Sequence, residues 1–260
     1  MRGLALGRRQ SGMTCRPGCR ANITSIVLQH QALPLANIAS TGGFGYVERH
    51  PEDAMINHRY KFIFVHINKC AGQSVRRALP RGTRGHHTIM HYLALCEREG
   101  RDPSEYFKFT IVRNPWDKVV SFYHYHQRRK WDIFPWTTAN EPDFNAFIRR
   151  LFIDDEGALA HEIFRGRSGD STHHLRLSNS LDWVSGPDGR ILVDFIGRVE
   201  SLQADFDQVC DRIGIKRRQL PHANRSSHKP YWEYYDDTSR EVVAGRFQRD
   251  IDYFDYRFGA

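Results

Sequence analysis

The stretch of sequence that decides the fold is residues 62–74, which read FIFVHINKCAGQS. Its first six residues form a nearly continuous apolar run of β-branched and aromatic side chains, which is typical of a strand buried on both faces. A loop of small and polar residues follows, and a short helical stretch then runs to Leu79, where Pro80 stops it. The pattern predicts a buried strand, a tight turn and a helix in succession.

A second unit of the same kind occupies residues 106–129. The run YFKFTIV at 106–112 predicts another buried strand, and Asn114 and Pro115 suit the N-cap and the first position of a helix that continues to about Arg129. Two such units in succession indicate a parallel sheet with helices on its faces. We therefore expect an α/β fold with a P-loop-like central parallel sheet of about five strands, flanked by helices.

The second half of the chain has a more helical pattern. Apolar residues recur at helical spacing within residues 144–151, 206–213 and 242–251. Gly214 suits the end of the second of these helices, and Thr238 suits the cap of the third. The sequence therefore predicts three further helices.

The N-terminal residues differ from the rest, because they show no sustained period of either helix or strand. We expect residues 1–58 to form a weakly structured extension and residues 59–260 to form one folded domain. Two alternatives stay open: Met55 is the natural start, or the extension is an arm that packs on the domain. With no convincing signal peptide and no apolar run of the roughly 18–20 residues that a membrane span needs, the sequence favours a cytoplasmic protein without a membrane span.

Composition narrows the function classes. The chain has 260 residues, 40% of them hydrophobic, which is enough for a core and excludes a mostly disordered chain. Its 38 Lys and Arg against 30 Asp and Glu give a net charge of +8, which favours an anionic partner without choosing its class. The five cysteines are an odd number and favour a reducing compartment. Cys15 and Cys19 lack the further ligands of a zinc site, so we expect no metal.

The first group of residues that favours chemistry is the turn at 68–74. A small-residue turn that opens a helix directs several backbone N–H groups to one point, which suits a phosphate. Lys69 adds a positive charge and Ser74 a hydroxyl. The turn is not a Walker loop, since its Lys precedes its Gly. The alternative interpretation is an ordinary turn with a solvated Lys.

The second group is Arg113 at the end of a strand with Ser121 eight residues later. An Arg that reaches over the first turns of the helix and a Ser on the same side are able to hold one phosphate, because the guanidinium offers a planar fork of donors. The alternative is an Arg bonded to carbonyl groups and a Ser in the interior of a helix.

Together the two groups resemble a known pair of motifs. Residues 64–74 resemble the 5′-phosphosulfate loop of sulfotransferases that use 3′-phosphoadenosine 5′-phosphosulfate (PAPS). The similarity is to the carbohydrate branch, which includes heparan sulfate 2-O-like and bacterial enzymes, where the loop usually reads H-I-P-K-T-G/A-G-T-S. Residues 109–121 resemble the 3′-phosphate motif R-N-P-W-D-R-x-x-S, and weaker similarity covers residues 194–202, 220–226 and 231–258.

The resemblance implies a role for each matching residue. Lys69 would lie at the 5′-phosphate and the bridging oxygen, Arg113 and Ser121 would hold the 3′-phosphate, and Arg225 and Ser226 would close a later loop over the nucleotide. The other loop residues would supply backbone amides and a hydroxyl: Cys70, Ala71, Gly72, Gln73 and Ser74. PAPS would be the co-substrate, and no metal would be needed.

The loop departs from the family pattern at three positions. Asn68 replaces the usual Pro, and Cys70 and Gln73 replace Thr residues. A thiol is a weak donor, so the side chain of Cys70 would contribute little to phosphate binding. An alternative hypothesis makes Cys70 a nucleophile, because Lys69 and a helix start would lower its pKa.

A general base is needed because the acceptor hydroxyl must lose its proton. Histidine is the natural base near neutral pH, and His86, His87 and His91 lie between the two motifs. In the carbohydrate enzymes that the chain resembles, a His in this stretch serves as the base. We favour His87, with His86 second, and assign His91 to substrate binding or packing. For each of the three, a purely structural role is an equally open interpretation.

The sequence thus predicts a sulfotransferase that moves a sulfuryl group from PAPS to a hydroxyl of a carbohydrate or glycoconjugate. Two other hypotheses stay open: a P-loop-type nucleotide kinase, and a non-enzymatic polyanion-binding protein. No recognised nucleic-acid motif is present, so we expect no nucleic-acid partner. The resemblance covers roughly Met55 to the end of the chain, which would make the folded region a single sulfotransferase domain.

Overall fold

The computed structural model describes residues 55–80, 85–129, 141–154, 177–221 and 229–260. In these ranges there are four strands: β1 (Ile56–Asn57), β2 (Phe62–Val65), β3 (Phe107–Val112) and β4 (Phe195–Arg198). The same ranges contain eight α-helices: α1 (Gly72–Ala78), α2 (Ile89–Arg98), α3 (Pro115–Arg129), α4 (Phe144–Phe152), α5 (Leu181–Val184), α6 (Leu202–Arg212), α7 (Asp237–Arg246) and α8 (Gln248–Phe254). Short 3₁₀ turns lie at Pro103–Glu105, Val199–Ser201 and Tyr231–Tyr234.

The strands form one sheet in the order β1-β2-β3-β4. The pairs β2–β3 and β3–β4 are parallel, with Val65 opposite Thr110 and Val112 opposite Arg198, whereas β1 is antiparallel to β2. The α/β architecture with a parallel centre is confirmed. The antiparallel edge was not predicted, and it arises because the connection from β1 to β2 is too short to cross the sheet.

The N-terminal boundary of the domain needs a correction. Met55 is buried, its carbonyl accepts a hydrogen bond from Phe64 N at 2.9 Å, and β1 pairs with β2. Residues 55–58 therefore pack in the domain and do not belong to an extension. Residues 1–54 lie outside the described residues, so the rest of the predicted extension stays a prediction.

The core is built on the predicted apolar strands. All four residues of β2 and the last four of β3 are buried. Phe64 and Phe109 stack across the two strands, with ring centroids 4.9 Å apart. The one polar side chain of this β3 stretch, Thr110, donates a 2.8 Å hydrogen bond to Val65 O, which satisfies both groups at the end of β2.

The helix ends agree with the sequence at two of three predicted positions. Asn114 caps α3 by accepting a hydrogen bond from Trp116 N at 3.2 Å, and Gly214, with φ of 68°, follows the end of α6 in the left-handed conformation. The predicted cap at Thr238 is wrong. The carboxylate of Asp236 accepts from Ser239 N at 2.7 Å and caps α7 instead. The last predicted helix is also interrupted at Phe247, where α8 begins.

None of the helices in the described part of the chain is long and apolar enough to cross a membrane.

Candidate functional site

The two predicted phosphate motifs lie at one end of the parallel strands. Because β2, β3 and β4 are parallel, the segments that follow Val65, Val112 and Arg198 all leave the sheet at this end. The first segment is the loop 66–71, which leads to α1. The second is Arg113 and Asn114, which lead to α3. The sheet therefore brings together two motifs that are about 40 residues apart in sequence.

The loop that follows β2 has an unusual backbone. Lys69 and Ala71 both have positive φ, at 65° and 54°, although neither is Gly. Ala71 is the N-cap of α1 and makes no side-chain cap hydrogen bond. Left-handed residues in a turn aim successive N–H groups into a concavity that suits an anion. The role of this turn as a phosphate loop stays a prediction.

Gly72 is required by a close approach. A Cβ at this position would lie 1.8 Å from Cδ2 of His66 and 2.0 Å from Nε2, so the imidazole occupies the place of a side chain. His66 itself is only 4% exposed. The absence of a Cβ at Gly72 thus lets the loop close onto β2.

Arg113 connects the two motifs directly. Its Nε donates to Asp117 Oδ2 at 2.7 Å, and one terminal nitrogen donates to the backbone oxygen of Lys69 at 3.2 Å. These contacts use two of the five guanidinium N–H groups, so three more can donate to a phosphate. The side chain is 16% exposed, so it is largely enclosed and still reachable. Lys69 and Arg113 therefore belong to one site.

One face of α3 runs along this site. Asp117, Ser121 and Tyr125 are spaced four residues apart and share a face of the helix. The ammonium nitrogen of Lys69 lies 3.9 Å from the ring centroid of Tyr125, a cation–π contact. Ser121, half-buried, lies one turn beyond the Asp117 that holds Arg113. The sequence did not identify Tyr125, because a contact across 56 residues leaves no local pattern.

Cys70 does not have the environment of a nucleophile. It is 1% exposed, and its thiol donates to Asn68 O at 3.5 Å. Burial raises the pKa of the thiol to about 11, and the nearby charges of Lys118 and Arg113 offset this only in part. The hypothesis that the setting lowers this pKa is wrong. A contribution from the backbone of Cys70 stays a prediction.

The predicted histidines lie beside the loop. His86 Nδ1 is 2.9 Å from His66 O, and since a carbonyl only accepts, Nδ1 carries the proton. The neutral ring then has its lone pair on Nε2. His87 stacks on His91 at 4.1 Å between centroids, with Tyr92 edge-on to both rings. His91 is in the first turn of α2 and exposed. Which of them serves as a base stays a prediction.

The opposite side of the α3 motif is structural. The hydrogen bonds that Asn114 donates point away from the loop. Its backbone N–H donates to Glu200 at 2.8 Å, and its side-chain amide donates to Arg257 O at 3.1 Å and to Tyr231 Oη at 3.2 Å. Trp116 Nε1 donates to Arg240 O at 3.0 Å, and the fully buried Lys118 donates to Ser178 O at 2.8 Å. These residues connect α3 to the C-terminal segment and to the segments that contain Ser178 and Glu200.

Two predicted site residues, Arg225 and Ser226, lie outside the described residues. Among the residues that are described, no group of three or more His, Cys, Asp or Glu side chains is arranged to hold a metal ion.

Comparison with known proteins gives one finding. A family model with the description "Sulfotransferase family" matches residues 52–257, which is most of the chain and includes β1. No curated protein and no solved structure matches the chain significantly. Because the match covers most of the chain and includes both motifs, the chain belongs to the sulfotransferase family.

Proposed function

We propose that this sulfotransferase moves the sulfuryl group of PAPS to a hydroxyl of a carbohydrate or glycoconjugate. Family membership supports sulfuryl transfer in general. The single observation that carries the choice of donor is the hydrogen bond from Arg113 to the backbone of Lys69, which unites two anion-binding groups in one site. The acceptor class rests on the resemblance of both motifs to the carbohydrate branch.

The residues present fit a ligand that carries anionic groups at two ends. At one end, Arg113 keeps three N–H groups for a phosphate, and Ser121 lies on the same face of α3. At the other end, Lys69 offers a cation, and the turn at 69–71 has the left-handed residues Lys69 and Ala71, a backbone conformation that suits an anion. PAPS, when bound, supplies the sulfuryl group on its 5′-phosphate.

In this proposal the chain contributes positioning and charge. Lys69 offsets the negative charge that develops on the leaving phosphate oxygen, a kind of stabilisation that typically costs about 10²–10³-fold in rate when one donor is removed. The Arg113–Asp117 pair fixes the guanidinium, because both side chains are mostly enclosed and meet at 2.7 Å. The phosphate-binding groups are thereby set before the donor arrives.

The base comes from the segment that holds His86 and His87. The sequence favoured His87, but the structure gives a specific reason to prefer His86. Its Nδ1–H bond to His66 O is the kind of contact that orients a histidine and sets its tautomer. We therefore propose His86 as the base and His87 as its neighbour in the acceptor site.

The test is transfer of labelled sulfate from PAPS to a panel of glycans and small alcohols. We expect transfer by the wild type, a loss of about 10²–10⁴-fold in kcat for His86→Ala, and a smaller loss for His87→Ala. His58→Ala is the matched control, because His58 is exposed and contacts Tyr106 and Glu99 beside the start of β3, away from the strand ends that lead to the site. Unchanged kcat in both His86→Ala and His87→Ala would contradict the assignment of the base to this segment. Turnover of ATP without any transfer from PAPS would contradict the assignment of PAPS as the donor.

A further inference from the structure

His66 lies between the phosphate loop and the histidine segment. It follows β2 directly, and its ring is buried against Phe64 on the strand, with 5.7 Å between centroids and an interplanar angle of 12°. Neither of the sequence motifs assigns it a role beyond its place in the pattern. It nevertheless contacts both the loop that contains Lys69 and the segment that contains His86.

Toward the loop, the imidazole contacts Gly72 at the start of α1. Its Cδ2–Nε2 edge occupies the space of the missing Cβ, 1.8 to 2.0 Å from where that atom would be. The position of Gly72 fixes Ala71 and therefore the turn that contains Lys69. The ring thus sets how closely the loop approaches β2.

Toward the histidine segment, His66 makes two contacts with His86. Its backbone oxygen binds His86 Nδ1 at 2.9 Å, and the two rings lie 4.1 Å apart between centroids. One residue therefore contacts both the donor loop and the residue that we propose as the base.

We propose that His66 is a positioning residue that holds the His86 imidazole at a fixed distance from the Lys69 loop. The inference rests on the proposed function, since it gives His86 the task of a base. It extends that function, because it explains how a base on one segment is kept in register with a donor site on another. A shift of about 1 Å between two such groups typically costs 10²-fold in rate.

The charge state of the ring agrees with this role. Burial lowers the pKa of His66 well below its usual range, and the nearby charges of His86 and Arg76 lower it further, against the opposing effect of the Gly85 backbone. The ring is therefore neutral at physiological pH. A neutral ring packs against Gly72 and Phe64 without the cost of burying a charge.

The test compares His66→Ala, Gly72→Ala and the double variant. In Gly72→Ala alone, the added methyl group overlaps the His66 ring. We therefore expect a large fall in Tm and in affinity for 3′-phosphoadenosine 5′-phosphate (PAP). In the double variant the ring is gone and the methyl group has room, so Tm and PAP affinity recover relative to Gly72→Ala. The kcat per folded molecule stays low in both variants that lack His66, by about 100-fold.

Phe109→Leu is the matched control, since it removes a buried ring on β3 opposite Phe64 and should lower Tm without changing kcat. A double variant that recovers the kcat of the wild type together with its stability would overturn the proposal. Such a result would make His66 a packing residue and nothing more.

A second readout needs no donor. Nuclear magnetic resonance titration of the imidazoles in wild type and His66→Ala should show a shifted midpoint for His86. The substitution removes the ring whose centroid lies 4.1 Å from that of His86, while the backbone oxygen that His86 Nδ1 contacts remains. An unchanged His86 titration would overturn the proposal. If the wild type binds no PAP, the proposed function fails, while this titration still decides whether His66 positions His86.

Discussion

The two sides of α3 differ in the contacts that their residues make, although the residues on both sides come from one short motif. On the site side, Arg113 and Asp117 form a partly exposed ion pair, and Arg113 reaches the backbone of Lys69. On the core side, Asn114 and Trp116 make hydrogen bonds to the C-terminal segment. The comparison shows that one short motif supplies side chains both to the candidate site and to the hydrogen bonds that hold α3 in the domain.

This division has an energetic basis. Buried hydrogen bonds to backbone carbonyls each contribute about 1 kcal/mol to stability, and an unsatisfied partner costs about 1–3 kcal/mol. A partly exposed ion pair contributes little to stability, because water competes for both charges. Changes on the site side should therefore alter function and leave folding intact, and changes on the core side should do the reverse.

The largest expected effect is on the site side, at Lys69. Lys69→Met keeps the length of the side chain and removes its charge, so we expect kcat for sulfuryl transfer to fall about 10²–10³-fold with little change in the free energy of unfolding. Lys61→Met is the control, since Lys61 is exposed and pairs with Glu105. A kcat within threefold of wild type would place Lys69 outside the chemistry.

On the core side, Asn114→Ala is expected to lower the free energy of unfolding by about 3 kcal/mol, because it removes the amide hydrogen bonds to Arg257 O and Tyr231 Oη and the cap of the helix N-terminus. Urea denaturation measures this change. Asn114→Asp keeps the cap oxygen and loses only the amide donors, so its loss should be smaller. If the folded variants bind PAP as tightly as the wild type, Asn114 has a structural role. A loss of PAP affinity without a loss of stability would contradict the division between the two sides of α3.

Cys70 lies between the two sides, since the charges of both Arg113 and Lys118 act on it. Its pKa is raised from 9.0 to about 11, so the folded state keeps a proton that the unfolded state loses first. The contribution of Cys70 to the free energy of unfolding is fully present below pH 9. Above pH 9 it decreases by about 1.4 kcal/mol per pH unit, up to the folded pKa.

Denaturation curves of wild type and Cys70→Ala across this range isolate the contribution of Cys70. The free energy of unfolding should decrease more steeply with pH in the wild type than in the variant. Parallel curves above pH 9 would mean that the thiol titrates as it does in the unfolded chain.

The smallest expected effect is at Tyr125, whose ring lies 3.9 Å from the Lys69 ammonium. Tyr125→Phe keeps the aromatic face and should retain wild-type kcat, whereas Tyr125→Leu should lower kcat about three- to fivefold, corresponding to a cation–π contact of about 0.5–1 kcal/mol. Equal kcat values in the two variants would show that the ring does not position Lys69.

The sequence predicted the elements whose signals are local. The apolar runs gave β2 and β3, and Asn114 followed by Pro115 gave the start of α3. β1 was missed because two residues are too few to carry a period. The cap of α7 was wrongly assigned to Thr238. The true cap, Asp236, is favoured by groups that are distant in sequence, since it also binds Arg149 and its backbone N–H donates to Asn145.

Much of the site was predictable because its residues lie in two compact motifs. Lys69 and Arg113 were selected from their types and spacing, and the parallel sheet explains why they meet, while their roles in binding stay predictions. The contacts of His66 with Gly72 and of Tyr125 with Lys69 were not predictable. They join residues on different elements through packing, and packing leaves no pattern in a single sequence.

The most direct test of a single donor site that spans both motifs is calorimetric titration of wild type and Arg113→Ala with PAP and with adenosine 5′-phosphate. The two ligands differ only in the 3′-phosphate, so we expect Arg113→Ala to weaken PAP binding about 100-fold and to leave the binding of adenosine 5′-phosphate unchanged. An equal loss for both ligands, or PAP affinity that does not depend on Arg113, would contradict the assignment of the 3′-phosphate to this residue.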